Sequence, residues 1–347
     1  MSLDLLPPAT LIDAPLHFRR LALGELCDLG RMLGARELGA EPVQPSTSAT
    51  GQAVSAELLA PHAATVDAWF TQGAVTTHQL GCVRYATDGC WLHGSAQIDA
   101  EAMAGGLEQA AYQIYTDLFA ALARHTSPHL LRLWNYVPGI NDEGHGLEHY
   151  RHFNVGRQRA FIDAQRSAFE GSPAACALGA NEGALQVFFL AGPQAPLAVE
   201  NPRQVSAYHY PDQYGPRSPT FSRAALADVG GGRRALFISG TASIRGHTSV
   251  HVGDVRLQTE ETLLNIAAVL AAAQREAQVS LKADSLVCTV YLRRREDLAV
   301  VQEVMRQRLG TVTPAMRTAV FLRADICRAD LLVEIEAHGF VEPESRP

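Results

Sequence analysis

Two segments of the chain repeat one order of structural signals, and this repeat limits the possible folds more than any other feature. Each copy has an apolar strand-like run, a long amphipathic run, an alternating run, a second amphipathic run and two closing apolar runs. The copies occupy residues 90–192 and 234–339. Both have the order β-α-β-α-β-β. Helices with one apolar stripe would cover one face of a mixed sheet, so the repeat predicts an α+β fold with two tandem units.

The second copy shows the pattern most clearly. Its first strand, RALFISGTASI, is followed by a helix over residues 259–277 with Thr259 as the expected N-cap. A strand over 284–294 and a helix that ends at Gly310 come next. The runs AVFLRADI and LLVEIEAHG close the unit as two strands. We therefore predict a C-terminal domain over residues 201–347.

The first copy has the same elements inside an N-terminal domain predicted over residues 1–200, which also includes an N-terminal extension. The expected elements are strands at 90–98, 129–142 and 184–192, a short strand ACALGA, and helices at 100–125 and 147–164. The substrate site is expected in the cleft between the two domains.

Two irregular stretches lie outside the repeated pattern. Residues 35–60 are rich in Pro, Ser, Thr and Gly, which predicts a surface loop. Residues 201–224 are also irregular, but they contain three tyrosines and three arginines. Loops of that composition in a compact chain are frequently functional.

Charge and cysteine content exclude several classes of function. The formal net charge is −7 and no Lys/Arg run is present, so the sequence predicts no binding to nucleic acid. No apolar run reaches membrane-spanning length, and the first 15 residues lack the basic and apolar regions of a signal peptide. Six cysteines without a CxxC indicate reduced thiols. We expect a cytoplasmic protein with no membrane partner.

The second copy resembles the RidA/YjgF fold. The resemblance lies in a Ser-Gly after the first strand, a TVYL strand, the motif P-A-M-R, and the final V-E-I-E-A. In that family the arginine of P-A-x-R binds a substrate carboxylate, and a glutamate of the last strand shares its pocket. The resemblance therefore implies that Arg317 is an anion clamp and that Glu334 is a site residue.

The first copy narrows the resemblance. RLWNYVPGIND followed by HYRHFNVGRQRAF is similar to the chorismatases, which use a divergent tandem version of the fold. Chorismatases cleave the enolpyruvyl ether of chorismate and release pyruvate. One type hydrolyses the ether to a dihydroxycyclohexadiene carboxylate. Others form 3-hydroxybenzoate, in some members together with 4-hydroxybenzoate. The resemblance therefore implies chorismate as the small-molecule partner.

Two small residues separate these types within the family. Hydroxybenzoate formers have Cys near the last strand and Gly at the Ser-Gly kink, where the hydrolytic type has alanines. This sequence has Cys327 and Gly240, which favours 3-hydroxybenzoate formation. Cys327 is predicted to steer the product without forming a covalent bond. A small buried core residue is the alternative for this thiol.

Glu334 is the candidate acid that protonates the terminal CH₂ of the vinyl ether. It alternates with Glu336 on an apolar strand, so both side chains point to one face. Burial there would raise its carboxyl pKa, and Arg317 nearby would oppose the rise. The pattern alone fits a surface edge strand with two solvated glutamates equally well.

Further candidates complete the predicted pocket. Arg157 is expected to bind the second carboxylate, with Arg151 and Arg217 as alternatives. Tyr150, Tyr214 and Arg217 are expected to line the opposite wall, although each tyrosine would equally fit a packing role. His247 and His251 have helical ligand spacing but no third ligand, so no metal site is predicted. Nucleophile-elbow, Walker and Rossmann motifs are missing, so no cofactor is predicted.

Three other functions fit parts of the sequence. Within the family, the alternative is a hydrolytic chorismatase. A RidA-like enamine or imine deaminase is a different enzyme class, but those proteins are single short modules. A small-molecule binding protein that has lost the acid is the non-enzymatic alternative. The sequence leaves the oligomeric state open, because a tandem chain could supply both sides of a site by itself or assemble further.

Overall fold

The computed structural model describes residues 15–25, 31–39, 51–180 and 183–342, which form three larger β-sheets and five α-helices. The first 70 residues contain five strands: β1 (His17–Ala22), β2 (Met32–Leu38), β3 (Gly51–Ala53), β4 (Glu57–Ala60) and β5 (Thr65–Phe70). The first unit contains β6 (Thr76–Leu80), β7 (Val83–Thr87), β8 (Leu92–Ile98), α1 (Gly106–Leu122), β9 (His129–Pro138), β10 (Glu143–Gly144), β11 (Leu147–Glu148), α2 (His149–Asp163), β12 (Ala174–Ala180) and β13 (Leu185–Gly192).

The second unit contains β14 (Leu197–Val199), β15 (Ala224–Asp228), β16 (Arg234–Ala242), β17 (Ile244–Arg245), β18 (Thr248–Ser249), α3 (Val255–Ala277), β19 (Val287–Leu292), α4 (Leu298–Leu309), α5 (Pro314–Arg317), β20 (Val320–Arg323) and β21 (Val333–Val341). Two short 3-10 turns, Ala207–His209 and Asp212–Tyr214, lie between β14 and β15. The α+β class and the order of elements in both copies are confirmed.

Each unit is a mixed sheet with its helices on one face. In the first unit the strand order is β12-β9-β13-β8-β7-β6, and only the β12–β9 pair is parallel. In the second it is β14-β15-β16-β21-β19-β20-β4, and only β19–β20 is parallel. Apolar side chains of α1 and α2 pack on the first sheet, and those of α3 and α4 on the second. The apolar periodicity therefore predicted the covered faces correctly.

The start of α3 differs from the sequence prediction. The helix begins one turn before Thr259, after Asp254, whose carboxylate accepts the Leu257 N–H at 3.0 Å. Thr259 lies inside the helix, and its hydroxyl donates to the Val255 carbonyl at 2.7 Å. Asp is as good an N-cap as Thr, so the apolar periodicity alone placed the start too late.

The N-terminal region contradicts the predicted loop over residues 35–60. Residues 40–50 of that stretch lie outside the described residues, but β2, β3 and β4 occupy much of the remainder. Strands β1, β5, β2 and β3 form a separate four-stranded sheet, and β4 pairs with β20 at the edge of the second unit. Composition missed these strands because it does not reveal pairing partners, which are the nearby β3 and β5 for β2 and the remote β20 for β4.

The helix-free faces of the three sheets meet in a central core. Trp69 from the N-terminal sheet, Trp134 from the first unit and Phe237 from the second are all buried there. The second sheet begins with β14 at Leu197, immediately before the boundary predicted at residue 200, and the exact division into domains remains a prediction. Among the described helices, none is long and apolar enough to span a membrane.

Strand β12 of the first unit makes hydrogen bonds to the second unit through its backbone N–H groups. The Ala175 N–H donates to the Ser239 hydroxyl at 2.9 Å, and the Gly179 N–H donates to the Asp325 carbonyl at 2.7 Å. This edge of the first sheet therefore lies against β16 and the segment after β20. The cleft between the units opens beside it.

Candidate active site

A cavity of about 440 Å³ lies in the cleft between the two units. Helix α2 and strand β12 supply its wall on the side of the first unit, and β16, β21 and the segment after β20 supply the other. The segment before β15 contributes the remaining wall. The lining residues are Glu148, Tyr150, Arg151, Arg157, Ala175, Cys176, Ala177, Tyr210, Gln213, Tyr214, Pro219, Phe221, Arg223, Gly240, Ala242, Ile244, Cys327, Arg328, Ala329, Asp330 and Glu334. This volume fits a small organic ligand.

Glu334 is the buried acid of this cavity. It lies on β21 between Ala242 of β16 and Tyr291 of β19, and only 3% of its surface is exposed. Its carboxyl group makes no hydrogen bond or ion pair with the described residues. Burial, followed by the negative charge of Glu336, raises the pKa of Glu334 to about 8. The group is therefore mostly protonated at neutral pH and can donate a proton.

Gly240 provides the space that the Glu334 side chain occupies. The β16–β21 register shifts between Ile238 and Thr241, which places Gly240 in a bulge opposite the acid. A Cβ at position 240 would overlap the Glu334 Oε1 and would lie 3.1 Å from the Cys176 Cβ. Glycine is therefore required here for the observed position of the carboxyl group.

Arg157 and Arg223 are buried in the cavity wall, and neither makes an ion pair with a carboxylate of the described residues. The Arg157 Nη2 donates to the Asn154 Oδ1 at 2.8 Å, and its Nε has no partner among those residues. The Arg223 Nη2 donates to the Tyr210 hydroxyl at 2.8 Å, and its Nε is likewise without a described partner. Buried cations without counter-ions are costly, so both favour an anionic ligand.

Arg328 is a third cation of the cavity. Its Nη1 donates to the His247 carbonyl at 2.8 Å, and its guanidinium carbon lies 4.0 Å from the centre of the Tyr214 ring. No described carboxylate forms an ion pair with it, and its Nη2 is buried without a described partner. Arg151 differs, because its Nε donates to a Glu148 oxygen at 3.2 Å. Three of the four cavity arginines are therefore available to bind an anion.

The thiol of Cys327 is neutral. Burial, followed by the negative charge of Glu334, raises its pKa to about 12, and the opposing effect of Arg328 is smaller. The other arginine near it in sequence, Arg323, donates to Glu57 at 3.2 Å instead. A thiol in this state is a poor nucleophile, which fits the predicted non-covalent role.

Six predicted site residues line this cavity together. They are Glu334, Cys327, Arg157, Tyr150, Tyr214 and Gly240. Their roles remain predictions, but the structure places all six around one space. The phenol of Tyr214 also contacts the His247 Nδ1 at 3.3 Å, which connects the segment before β15 to the turn between β17 and β18.

Arg317 and Arg217 lie outside this cavity, and their assignment as substrate-binding residues remains a prediction. Arg317 is exposed at the end of α5, before β20, whereas Cys327 and Arg328 follow β20. The length of the strand therefore separates Arg317 from the cavity. Arg217 is exposed beside the two 3-10 turns, while Tyr214 of the same segment faces inward. Neither arginine lines the cavity.

Sequence reasoning missed Arg223, Arg328 and Tyr210 as site residues. Arg223 and Tyr210 lie in the irregular stretch 201–224, whose tyrosines and arginines were the available signal. Arg328 directly follows Cys327 in the sequence, but no motif marked it as a site residue. Among the described residues, no three or more His, Cys, Asp and Glu side chains form a group able to hold a metal ion.

Comparisons with known proteins place this cavity in a class of enzymes. The family model for the chorismatase FkbO/Hyg5-like N-terminal domain matches residues 67–191. A chorismatase of Streptomyces rapamycinicus is 37% identical over 279 residues, which cover 78% of this chain and 80% of that protein. A 3-hydroxybenzoate synthase of Streptomyces hygroscopicus is 34% identical over 281 residues, with 78% and 80% covered.

A solved structure extends the likeness to almost the whole fold. The crystal structure of a chorismatase at 1.08 Å resolution superposes with a TM-score of 0.85 and 33% identity, covering 94% of this chain and 99% of the other. A RutC family protein of Pyrococcus horikoshii is 37% identical over 110 residues, which are 31% of this chain and 79% of that protein. The protein is thus an α+β enzyme built from two units with the same order of elements. It belongs to the chorismatase family.

Proposed function

We propose that the protein cleaves the enolpyruvyl ether of chorismate to pyruvate and 3-hydroxybenzoate. The observation that supports this most strongly is a protonated buried carboxyl, Glu334, in a cavity whose arginines have no carboxylate partners. Chorismate has two carboxylates and an acid-labile vinyl ether. The relatives named chorismatase and 3-hydroxybenzoate synthase support the same substrate.

Binding of chorismate would use the unpaired cations. A guanidinium binds a carboxylate through two parallel hydrogen bonds. Arg157, Arg223 and Arg328 all line the cavity, and each has one buried nitrogen without a described hydrogen-bond partner. We assign one substrate carboxylate to Arg157 on the wall of the first unit. The other is assigned to Arg223 and Arg328 on the opposite wall. Two clamps on opposite walls would fix the vinyl ether between them.

Glu334 would start the reaction by donating its proton to the terminal CH₂ of the vinyl ether, which gives an oxocarbenium ion. The bond between the ring carbon and the ether oxygen then breaks, its electron pair forms the carbonyl, and pyruvate leaves. The neighbouring ring hydroxyl oxygen moves to the vacated carbon, and the ring loses one proton. The Glu334 carboxylate accepts that proton and is restored. The products contain all atoms of chorismate and no added water.

The choice between hydroxybenzoate and the hydrolytic product depends on whether water reaches the ring. We assign product steering to Cys327 and Gly240, the two positions at which the hydrolytic type has alanines. Both residues lie around the acid: Gly240 makes room for Glu334, and the neutral Cys327 thiol fills the wall beside it. Formation of some 4-hydroxybenzoate fits the same cavity: the hydroxyl then stays on its own carbon, and the proton that the ring loses comes from that carbon.

Incubation of the pure protein with chorismate, followed by product identification, tests the proposal. Pyruvate in a one-to-one ratio with 3-hydroxybenzoate is expected. A non-aromatic diene diol with pyruvate would identify the hydrolytic type instead. Absence of turnover would contradict the proposal and leave a deaminase or a binding protein, which enamine substrates and calorimetry with chorismate would then separate.

The variant Glu334→Gln tests the acid directly. We expect kcat to fall about 10³-fold, because an amide cannot donate the required proton, while KM changes little. The amide has the same shape, so the thermal midpoint of unfolding should not decrease. The matched control is Glu303→Gln on α4, which makes the same change at an exposed carboxylate outside the cavity and should retain turnover. A kcat near that of the native protein in Glu334→Gln would refute the acid assignment.

A further inference from the structure

A second buried carboxylate, Glu336, lies on the same face of β21 as Glu334 and has no part in the reaction just described. Two residues along a strand place the Cα atoms of the two glutamates about 7 Å apart. Glu336 is 3% exposed and does not line the cavity. Two carboxylates this close in a dry interior influence each other strongly.

The oxygens of Glu336 are held by two arginines from different sheets. Arg132 of β9 donates to its Oε2, and Arg36 of β2 donates to its Oε1 at 3.2 Å. The Tyr291 hydroxyl donates to the same Oε1 at 3.0 Å. Although burial opposes ionisation, these two arginines lower the pKa of Glu336 to about 2. The carboxylate is therefore negatively charged throughout the physiological range.

The N-terminal sheet fixes this arrangement. Arg36 also donates to Asp67 at 2.9 Å, and Asp67 in turn accepts from Arg20 at 2.6 Å. The Arg20 guanidinium reaches the Thr289 hydroxyl of β19 at 2.8 Å. We call Arg20, Arg36, Asp67, Arg132 and Glu336 the ionic cluster. It connects all three sheets behind the cavity.

The charged groups around Glu334 act in opposite directions. Burial and the charge of Glu336 raise its pKa, whereas Arg132 and Arg223 lower it. Other titratable groups face it from the neighbouring elements. These are the thiols of Cys176 on β12 and Cys327 after β20, both with a raised pKa, and Tyr150 of α2, whose pKa is raised by burial. Since the thiols and the phenol are neutral, Glu336 is the negative charge that dominates.

We propose that Glu336 is a positioning residue for the reaction, because its carboxylate, fixed by Arg36 and Arg132, keeps the proton on Glu334. The arginines reach Glu336 and not Glu334, although both acids lie on one strand face. One carboxylate is thus ionised and the other retains its proton, a division of roles that paired carboxylates show in general acid catalysis. The N-terminal sheet contributes to the chemistry through Arg36. This inference rests on the proposed function, in which Glu334 is the acid.

The pH dependence of kcat/KM for chorismate tests the inference. Only protonated Glu334 can donate, so the rate falls as the pH rises through its pKa. In Glu336→Gln the negative charge is lost, and this alkaline limb should move to lower pH by about one unit, which lowers the rate at pH 8 about fivefold. Glu336→Asp retains the charge and should keep the limb within about 0.3 units of the native position.

Asp67→Asn is the matched control for structural damage. It removes an equally buried carboxylate of the ionic cluster, but one that does not act on the pKa of Glu334. We expect lower stability with an unchanged alkaline limb. A uniform loss of activity in Glu336→Gln with the limb in its native place would overturn the proposal. An equal shift in Asp67→Asn would also overturn it.

A measurement on the native protein covers the case in which Glu336→Gln does not fold. The infrared difference spectrum between the native protein and Glu334→Gln reports the carboxyl band of Glu334 without any substrate. The band should convert to carboxylate near pH 8, whereas conversion near pH 4.5 would overturn the inference. Failure of the proposed function would appear separately, as absence of chorismate turnover with the Glu334 titration intact.

Discussion

The cavity and the ionic cluster share one face of β21, but their arginines are in opposite states. In the ionic cluster, Arg36 and Arg132 are both paired with Glu336. In the cavity, Arg157, Arg223 and Arg328 are buried or half-buried without a carboxylate partner among the described residues. Buried arginines that pair with a carboxylate connect the sheets, whereas those without a carboxylate partner can bind an anionic ligand. The same residue type therefore has a structural role in one region and a binding role in the other.

The largest expected effect comes from breaking the ionic cluster. Arg132→Met removes the partner of Glu336 and leaves its carboxylate buried without its closest cation. We expect the free energy of unfolding to fall by about 3–5 kcal/mol. Chemical denaturation at neutral pH measures this loss. A change below about 1 kcal/mol would show that the cluster contributes little to stability.

The corresponding substitution in the cavity should separate binding from stability. Arg157→Met removes a buried cation that has no described counter-ion, so the free energy of unfolding should not decrease. The KM for chorismate should rise about 10²-fold, because one substrate carboxylate loses its charged partner. Steady-state kinetics and denaturation of the same preparation check both results. An unchanged KM would remove Arg157 from the binding site.

A smaller effect is expected from Gly240→Ala, which acts on the acid itself. The added methyl group overlaps the Glu334 Oε1, and the flexible end of that side chain must turn away. We expect kcat to fall about tenfold, which is about a third of the barrier change predicted for Glu334→Gln, with a stability loss of about 1 kcal/mol. Product analysis should also show a shift toward the hydrolytic diol. Native rate and product ratio would contradict the role assigned to this glycine.

The smallest effect is expected at Arg317, the arginine that the family motif favoured. Its side chain is exposed at the far end of β20, outside both regions. Arg317→Ala should change KM by less than about twofold and the free energy of unfolding by less than about 0.5 kcal/mol. Steady-state kinetics of Arg317→Ala and Arg157→Met, measured under the same conditions, provide the comparison. A KM increase similar to that of Arg157→Met would return Arg317 to the site.

Local pattern was sufficient to predict the two units, and the family resemblance supplied most of the candidate site residues. The apolar periodicity predicted α1 to α4 and the strands between them, because the spacing of apolar residues depends only on the sequence of each segment. Alternation on β21 predicted that Glu334 and Glu336 share one face. Glu334, Cys327, Arg157, Tyr150, Tyr214 and Gly240 were all chosen from the sequence, and all line one cavity.

The sequence pattern did not predict which strands pair when they lie far apart in the chain. Strand β4 joins β20 across more than 250 residues, and β2 brings Arg36 to Glu336 across 300. Composition gave residues 35–60 the appearance of a loop, because Pro, Ser and Gly do not reveal which strand lies opposite. The N-terminal sheet and its part in the ionic cluster were therefore missed.

The sequence by itself determined the tandem α+β order and the strand on which Glu334 alternates with Glu336, since both depend on neighbours in the chain. Only the tertiary structure decided which arginines meet that acid. The length of β20 keeps Arg317 away, while chain segments remote in sequence bring Arg223 and Arg157 to the cavity. The tertiary structure also decided the protonation of Glu334. Its raised pKa comes from burial and from the charge of Glu336, which arginines of the other sheets hold in place.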